Sequence, residues 1–208
     1  HGALKLKLDF RLRRVDGEAA TKVKAINAGV RKLSFDAAGM RVLSVRVDGE
    51  AARHSHSKGR LEVRLPKALG SGAEAEVVVR YRLDDPQAGL RFIPGPGGRG
   101  ATQAWSQGQP EDSRYWFPCH DAPHERATSE TVATVPAGFT VVSNGTLIER
   151  RDGPGRGWTT WHWRMDRPHS LYLVTLATGR FGKVEDRWEH VPLTVYCAKG
   201  READAWRG

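Results

Sequence analysis

Cysteine is scarce in this sequence. Cys119 and Cys197 are the two among 208 residues, too few for the disulfide framework that staples small secreted domains. A single bridge between them is the most that two thiols can make. Long apolar runs are also lacking: no stretch approaches the roughly 18 uninterrupted apolar residues of a transmembrane helix. The opening residues His1-Gly2-Ala3-Leu4-Lys5 have no apolar core of the kind a signal peptide needs. Helical periodicity is nearly absent, with only Arg201 to Trp206 able to begin a helix, and there is no fixed-period repeat and no low-complexity tract. The chain reads as soluble, with cytoplasmic and periplasmic or secreted locations equally open. It begins inside a strand pattern, so upstream residues and any targeting signal are expected to have been trimmed.

Clustered charge is missing too. The net charge is +9, which would favour an anionic partner if the cations were gathered in one place. Instead Lys5, Lys7 and Arg11 alternate with apolar residues, as on a solvated strand face. No recognition helix, glycine-aromatic RNA motif or zinc finger accompanies the charge, so no nucleic-acid partner is expected.

What is present is a succession of period-2 patterns. Leu4, Leu6, Leu8, Phe10 and Leu12 alternate with polar residues, which places them on one sheet face. Similar patterns fall at Val23 and Ala25, at Leu33 and Phe35, and at Leu43, Val45 and Val47 before an Asp48-Gly49 turn. Others fall at Leu61, Val63 and Leu65, and at Ala75, Val77, Val79, Tyr81 and Leu83. Residues 89–100, with five glycines and two prolines, read as a loop or inter-sheet crossing. Strands resume at Val132 to Val135, Phe139 to Val142, Trp161 to Met165, Leu171 to Ala177 and Leu193 to Tyr196, with a turn at Asn144-Gly145. About ten to twelve strands or more without βαβ alternation predict an all-β, mainly antiparallel sandwich of curved sheets. A single structural unit is expected over residues 1–198, with 199–208 as a linker into whatever follows.

Four groups of residues could carry chemistry. Cys119, His120, Asp121 and His124 are all possible metal ligands. Their spacing is neither Cys-x-x-Cys nor His-Glu-x-x-His, however, and Pro118 and Pro123 restrict convergence. A structural loop, with Asp121 accepting backbone or arginine hydrogen bonds, accounts for them better. Ser143 could be a nucleophile, but no Gly-x-Ser-x-Gly elbow surrounds it and Ser143-Asn144-Gly145 reads as turn chemistry. Trp158, Trp161 and Trp163 could stack on a sugar, although Met165 beside them makes a core stripe the simpler account. His162 on the opposite face, and His54 and His56 in a turn, read as solvated. Finally, Gln107 and Gln109 flank Gly108, which leaves room for close backbone approach. Two neutral amides can orient a polar ligand but supply neither a general base nor a Lewis acid.

Those glutamines stand in a longer run. Ser106-Gln107-Gly108-Gln109, then Arg114, then Phe117-Pro118-Cys119-His120-Asp121-Ala122-Pro123 resembles the amino-terminal β-domain of M1-type zinc aminopeptidases, in which these motifs come in the same order and spacing. Arg126, Ser143-Asn144, Pro168, Ser170, Tyr172, Leu173, Gly179 and Phe181 extend the resemblance downstream, and Tyr81, Pro86 and Gly89-Leu90 extend it upstream. It implies a saddle-shaped all-β domain preceding a thermolysin-like catalytic domain. The residue matching Gln109 would help hold the substrate's free α-amine, with the one matching Gln107 beside it. Where some relatives have Glu, this chain has Gln109, which leaves neutralisation of the ammonium to a carboxylate elsewhere. Ala122 stands where a glutamate is common.

No His-Glu-x-x-His occurs, nor the Gly-x-Met-Glu-Asn exopeptidase motif. The zinc and general base of such an enzyme would therefore be supplied by a catalytic domain of the same polypeptide, and this chain alone is expected not to hydrolyse peptides. Two other readings remain at this point. One is the β-domain of a catalytically dead relative that serves as a protein-binding scaffold. The other is a free-standing carbohydrate-binding sandwich.

Overall fold

The computed structural model describes residues 1–206. In them the regular structure is almost entirely strand, with seventeen strands, three short 3-10 turns and one helical turn. Strands β1 (Gly2–Asp9) and β2 (Arg14–Lys24) form a hairpin. Alternation builds β1: Leu4, Leu6 and Leu8 are buried while Lys5 and Lys7 are exposed. The pattern in the sequence runs on to Leu12, but the strand stops at Asp9. The Asp9 carboxylate accepts the backbone N–H groups of Arg11 and Leu12 at 2.9 Å each, a local turn that competes with the ladder. Leu12 is left 44% exposed.

Next come β3 (Val30–Asp36), β4 (Arg41–Val47), β5 (Glu50–Ala51), β6 (His54–Ser57), β7 (Arg60–Leu69) and β8 (Glu74–Asp84). In β8 the sequence pattern holds throughout, with Ala75, Val77, Val79, Tyr81 and Leu83 all buried. In β4 it fails at one position. A register shift against β8 between Val42 and Ser44 turns Leu43 to solvent while Val45 and Val47 remain buried. His54 and His56 lie in a strand rather than a turn. His56 is half buried, its Nε2 being 2.7 Å from the Ala37 carbonyl oxygen.

Residues 89–100 are more regular than their glycines suggest. They contain β9 (Leu90–Pro94), in which Leu90 and Phe92 are buried, and it pairs with β10 (Ala101–Ser106). The remaining strands are β11 (Arg126–Pro136), β12 (Thr140–Ser143), β13 (Thr146–Asp152), β14 (Trp158–Ser170), β15 (Leu176–Gly179), β16 (Phe181–Trp188) and β17 (Val191–Ala198). They are followed by the single turn α1 (Glu202–Ala205). The segment Leu171 to Ala177 is not one strand, because a 3-10 turn over Leu171–Leu173 precedes β15. Of the expected 199–208 linker, Arg207 and Gly208 lie outside the described residues.

Eight strands form the main sheet, in the order β13-β14-β11-β1-β2-β8-β4-β5. A second sheet is β12-β15-β10-β9, a third is β3-β7-β6, and β16 pairs with β17. Strand β1 runs parallel to β11, from Gly2 opposite Ser129 to Lys7 opposite Thr134, and the other pairings are antiparallel. The main and second sheets share a core. The Phe10 ring centroid lies 5.5 Å from that of Phe92 and 4.3 Å from that of Phe139. Trp163 on β14 donates its Nε1–H to the Val141 carbonyl of β12 at 3.0 Å. The architecture is the expected all-β, mainly antiparallel sandwich. Strands outnumber the ten to twelve read from the pattern because elements such as β13, exposed at every position, have no buried face to impose alternation.

Candidate functional site

The candidate site is built where the end of β10, the loop 107–125 and the turn Leu171–Leu173 meet. Ser106, the last residue of β10, is buried, and its Oγ accepts the Leu176 N–H at 2.8 Å. The Gln107 N–H then donates to the Gly89 carbonyl at 2.7 Å. Gly108 is buried between two exposed glutamines. A Cβ on Gly108 would stand 2.6 Å from the Tyr172 carbonyl oxygen, 2.8 Å from Ser113 Oγ and 3.0 Å from Tyr172 Cα. The close backbone approach that Gly108 permits is therefore to this chain's own 171–173 turn. The Asp112 N–H donates to the Gly108 carbonyl at 2.8 Å, and the hydroxyl of fully buried Ser113 donates to the Leu171 carbonyl at 3.3 Å. The Gln107 and Gln109 side chains are exposed and bond to no other side chain or backbone group among the described residues. Two amides with open hydrogen-bonding capacity thus sit on a backbone fixed from both sides.

Behind this loop lies a charged network. Arg114 donates from its backbone N–H and from Nε to Asp121 Oδ2, at 3.0 Å each. Its Nη2 donates to the Asp121 carbonyl at 3.2 Å and to Glu111 Oε2 at 2.7 Å. Buried Asp36 extends the network. Its Oδ2 accepts the Asp121 N–H at 3.1 Å and its Oδ1 accepts Arg60 Nη1 at 2.7 Å. Asp36 and Cys119 also exchange backbone hydrogen bonds at 2.7 and 3.0 Å, which joins β3 to the Phe117-to-Pro123 segment. Burial works against the Arg114 charge. The Asp121 hydrogen bond, with the charges of Asp36, Asp121 and Glu111, outweighs it, and the guanidinium is held above its ordinary value. Burial, then the neighbouring Asp121 and Asp36 carboxylates, push the Cys119 thiol up. Phe117 and Pro118 are buried, and the Phe117 ring meets that of fully buried Trp116 edge-on at 4.7 Å.

The other groups resolve into structural roles. Cys119 and Asp121 face inward, whereas His120, Pro123 and His124 are exposed, with the two imidazoles 3.3 and 4.0 Å from Glu125. No three His, Cys, Asp or Glu side chains gather as a metal-ligand set among the described residues. The Ser143 hydroxyl donates to the Thr175 carbonyl at 2.7 Å. Asn144 accepts the Thr175 N–H at 2.7 Å and donates to the Leu173 carbonyl at 2.9 Å. This pair therefore clasps the segment between the 171–173 turn and β15. Trp161 and Trp163 are 8% and 9% exposed, core residues rather than a sugar platform. His162 is half buried, with Nε2 3.1 Å from Glu130 Oε2. Asp36 and Arg60 have no motif of their own. The one local hint is that Asp36 puts a charge directly after the buried Phe35 at the end of β3.

Comparison with known proteins identifies the family and the fold. Residues 1–173 match the Peptidase M1 N-terminal domain family. The transcription initiation factor TFIID subunit 2 of Danio rerio is 31% identical over 147 residues, covering 67% of this chain and 12% of that protein. Aminopeptidase B of Rattus norvegicus is 30% identical over 132 residues, covering 63% of this chain and 20% of that protein. The fold is similar to that of a two-domain M1 zinc metallopeptidase crystallised with L-arginine. The TM-score is 0.80 at 20% identity, over 96% of this chain and 47% of the other. The chain spans only a fifth or less of the length of these two curated relatives.

Proposed function

The chain belongs to the Peptidase M1 N-terminal domain family, and from that membership we propose that it is the substrate-anchoring and structural domain of a zinc-dependent aminopeptidase that removes amino-terminal residues from peptides. One observation carries the reading: the exposed amides of Gln107 and Gln109 stand together on a loop whose intervening Gly108 is locked under Tyr172. The amide oxygens accept from a substrate α-ammonium, and the NH₂ groups donate to the first peptide carbonyl. Being neutral, they orient the amino end without cancelling its charge, so a carboxylate outside this chain completes the anchor. Residues 1–206 offer no donor set that fits zinc. On this reading the metal and the hydrolytic step belong to a catalytic domain of the same polypeptide. No nucleic-acid partner is assigned, and among the described residues no helix is long and apolar enough to cross a membrane.

The test is Gln109→Ala in the full-length parent. Loss of a hydrogen bond to a charged group, about 1.5 kcal/mol, raises KM for unblocked aminoacyl anilides roughly tenfold, while kcat stays within about twofold. An unchanged KM together with unchanged side-chain preference overturns the role of Gln109. A second reading has its own support, because a matching relative is named as a transcription initiation factor subunit rather than as a peptidase. In that reading the parent is a non-catalytic scaffold. Stoichiometric zinc together with anilide hydrolysis by the parent rejects the scaffold, and absence of both rejects the enzyme.

A further inference from the structure

The last hairpin stands apart from the sheets that share the core. Strands β16 and β17 pair with each other, Phe181 opposite Ala198 through to Trp188 opposite Val191, and with no other strand among the described residues. Pairing and alternation give the hairpin two unlike faces. Val184, Asp186 and Trp188 share one face with Val191, Leu193 and Val195, so this face is apolar but for Asp186, while Lys183, Glu185 and Arg187 lie on the other with Thr194 and Tyr196. The apolar face is open: Trp188 is 68% exposed, and Val191, Leu193 and Val195 are 43%, 43% and 46% exposed. An isolated two-stranded hairpin is at best marginally stable in water, and a contiguous apolar patch of this kind marks a contact surface.

We propose that this face is the docking surface for the polypeptide that follows residue 208 in the parent protein, whose first packed element covers Val184, Trp188, Val191, Leu193 and Val195. The proposal rests on the proposed function, since it takes the parent to carry a second domain. Two observations select this occupant over a separate partner. First, a Cβ on Gly182, which lies on the same face as Val184, would run into the Glu202 side chain. The chain beyond β17 thus already turns back over the apolar side. Second, the family match ends at residue 173, before the hairpin. The fold match to a two-domain enzyme nevertheless covers 96% of this chain and less than half of the other. The hairpin is therefore shared with a chain that goes on to form a further domain. Covalent continuation also supplies a high effective concentration, so a modest apolar face suffices. On this reading the boundary expected at 198 moves to just before Phe181, and the hairpin belongs with the domain that follows.

Amide hydrogen exchange at Val191 to Val195, compared between the 208-residue chain and the full-length parent, tests the proposal directly. Exchange is expected to be slower in the parent by roughly tenfold or more. Leu193→Lys in the parent should restore the faster rate and lower Tm, while changing the Tm of the 208-residue chain by no more than about 1 °C, because the side chain is already exposed there and stands opposite Asp186. Equal exchange in the two proteins, or a parent indifferent to Leu193→Lys, overturns the proposal. Concentration-dependent protection in the 208-residue chain alone also overturns it, by assigning the face to a second copy. Zinc content and turnover are read separately. A parent lacking both but still protected at Val191 to Val195 would refute the proposed function and leave the docking surface standing.

Discussion

Arg114 gives two donors, its own backbone N–H and its Nε, to a single carboxylate oxygen of Asp121, at 3.0 Å each. One side chain thus closes a seven-residue loop at both its backbone and its tip. Because Asp121 is 4% exposed and Arg114 is only partly open to water, the contact is worth more than a surface ion pair.

Asp121→Ala is accordingly expected to destabilise the chain by about 2–3 kcal/mol, because it strands the Arg114 donors in a partly buried setting. Urea unfolding followed by tryptophan fluorescence measures the loss. A change below about 0.5 kcal/mol, the range of ordinary surface substitutions, would show that solvent replaces the carboxylate without cost.

Gly108→Ala places a methyl group against the Tyr172 carbonyl at 2.6 Å, a backbone atom that cannot rotate away. The loop must lift, with an expected cost of about 1–3 kcal/mol. In the parent, KM for unblocked substrates rises with little change in kcat, because Gln107 and Gln109 move together. A structure of the variant with both glutamines unmoved would refute the coupling.

Cys119 is expected to resist iodoacetamide at pH 8 while half-buried Cys197 is modified, because burial and two neighbouring carboxylates hold the Cys119 thiol protonated. The linkage has a definite sign. A thiol raised above its ordinary value of 9.0 contributes its full stability below that pH and loses it as pH climbs towards the folded-state value. Stability should therefore fall above about pH 9, and Cys119→Ser should flatten that part of the profile. Peptide mass spectrometry of the native protein checks the first expectation, and urea midpoints between about pH 8 and 10.5 check the second.

How much of this was legible beforehand depended on whether a residue's environment was local. The β8 alternation from Ala75 to Leu83 could be read directly, since a strand between two neighbours in a half-buried sheet must alternate. Leu43 misled because the register shift beside it arises from pairing with β8, which nothing within β4 encodes. The glycines at 89, 95, 97, 98 and 100 concealed β9. Gly89 sits at φ +68°, where a side chain would strike the Asp112 carbonyl, so it ends one segment without forbidding a strand directly after it. At the site, the glutamines, Arg114 and the Phe117-to-Pro123 run were visible as motif. Asp36 was not, because it meets Asp121 across 85 residues of sequence and no nearby spacing announces such a meeting.

The parallel pairing of β1 with β11 has a temporal consequence. Residues 2–7 lie beside residues 129–134 at the centre of the main sheet, so during synthesis β1 emerges long before one of its two neighbours exists. Its hairpin with β2 can form early, but the opposite edge, with the open N–H and C=O groups of a bare strand, waits until β11 has left the ribosome. Over that interval the nascent chain presents an edge suited to pairing with another chain. The alternating Lys5 and Lys7, which the finished domain uses as a solvated face, also serve then as charges that discourage such pairing.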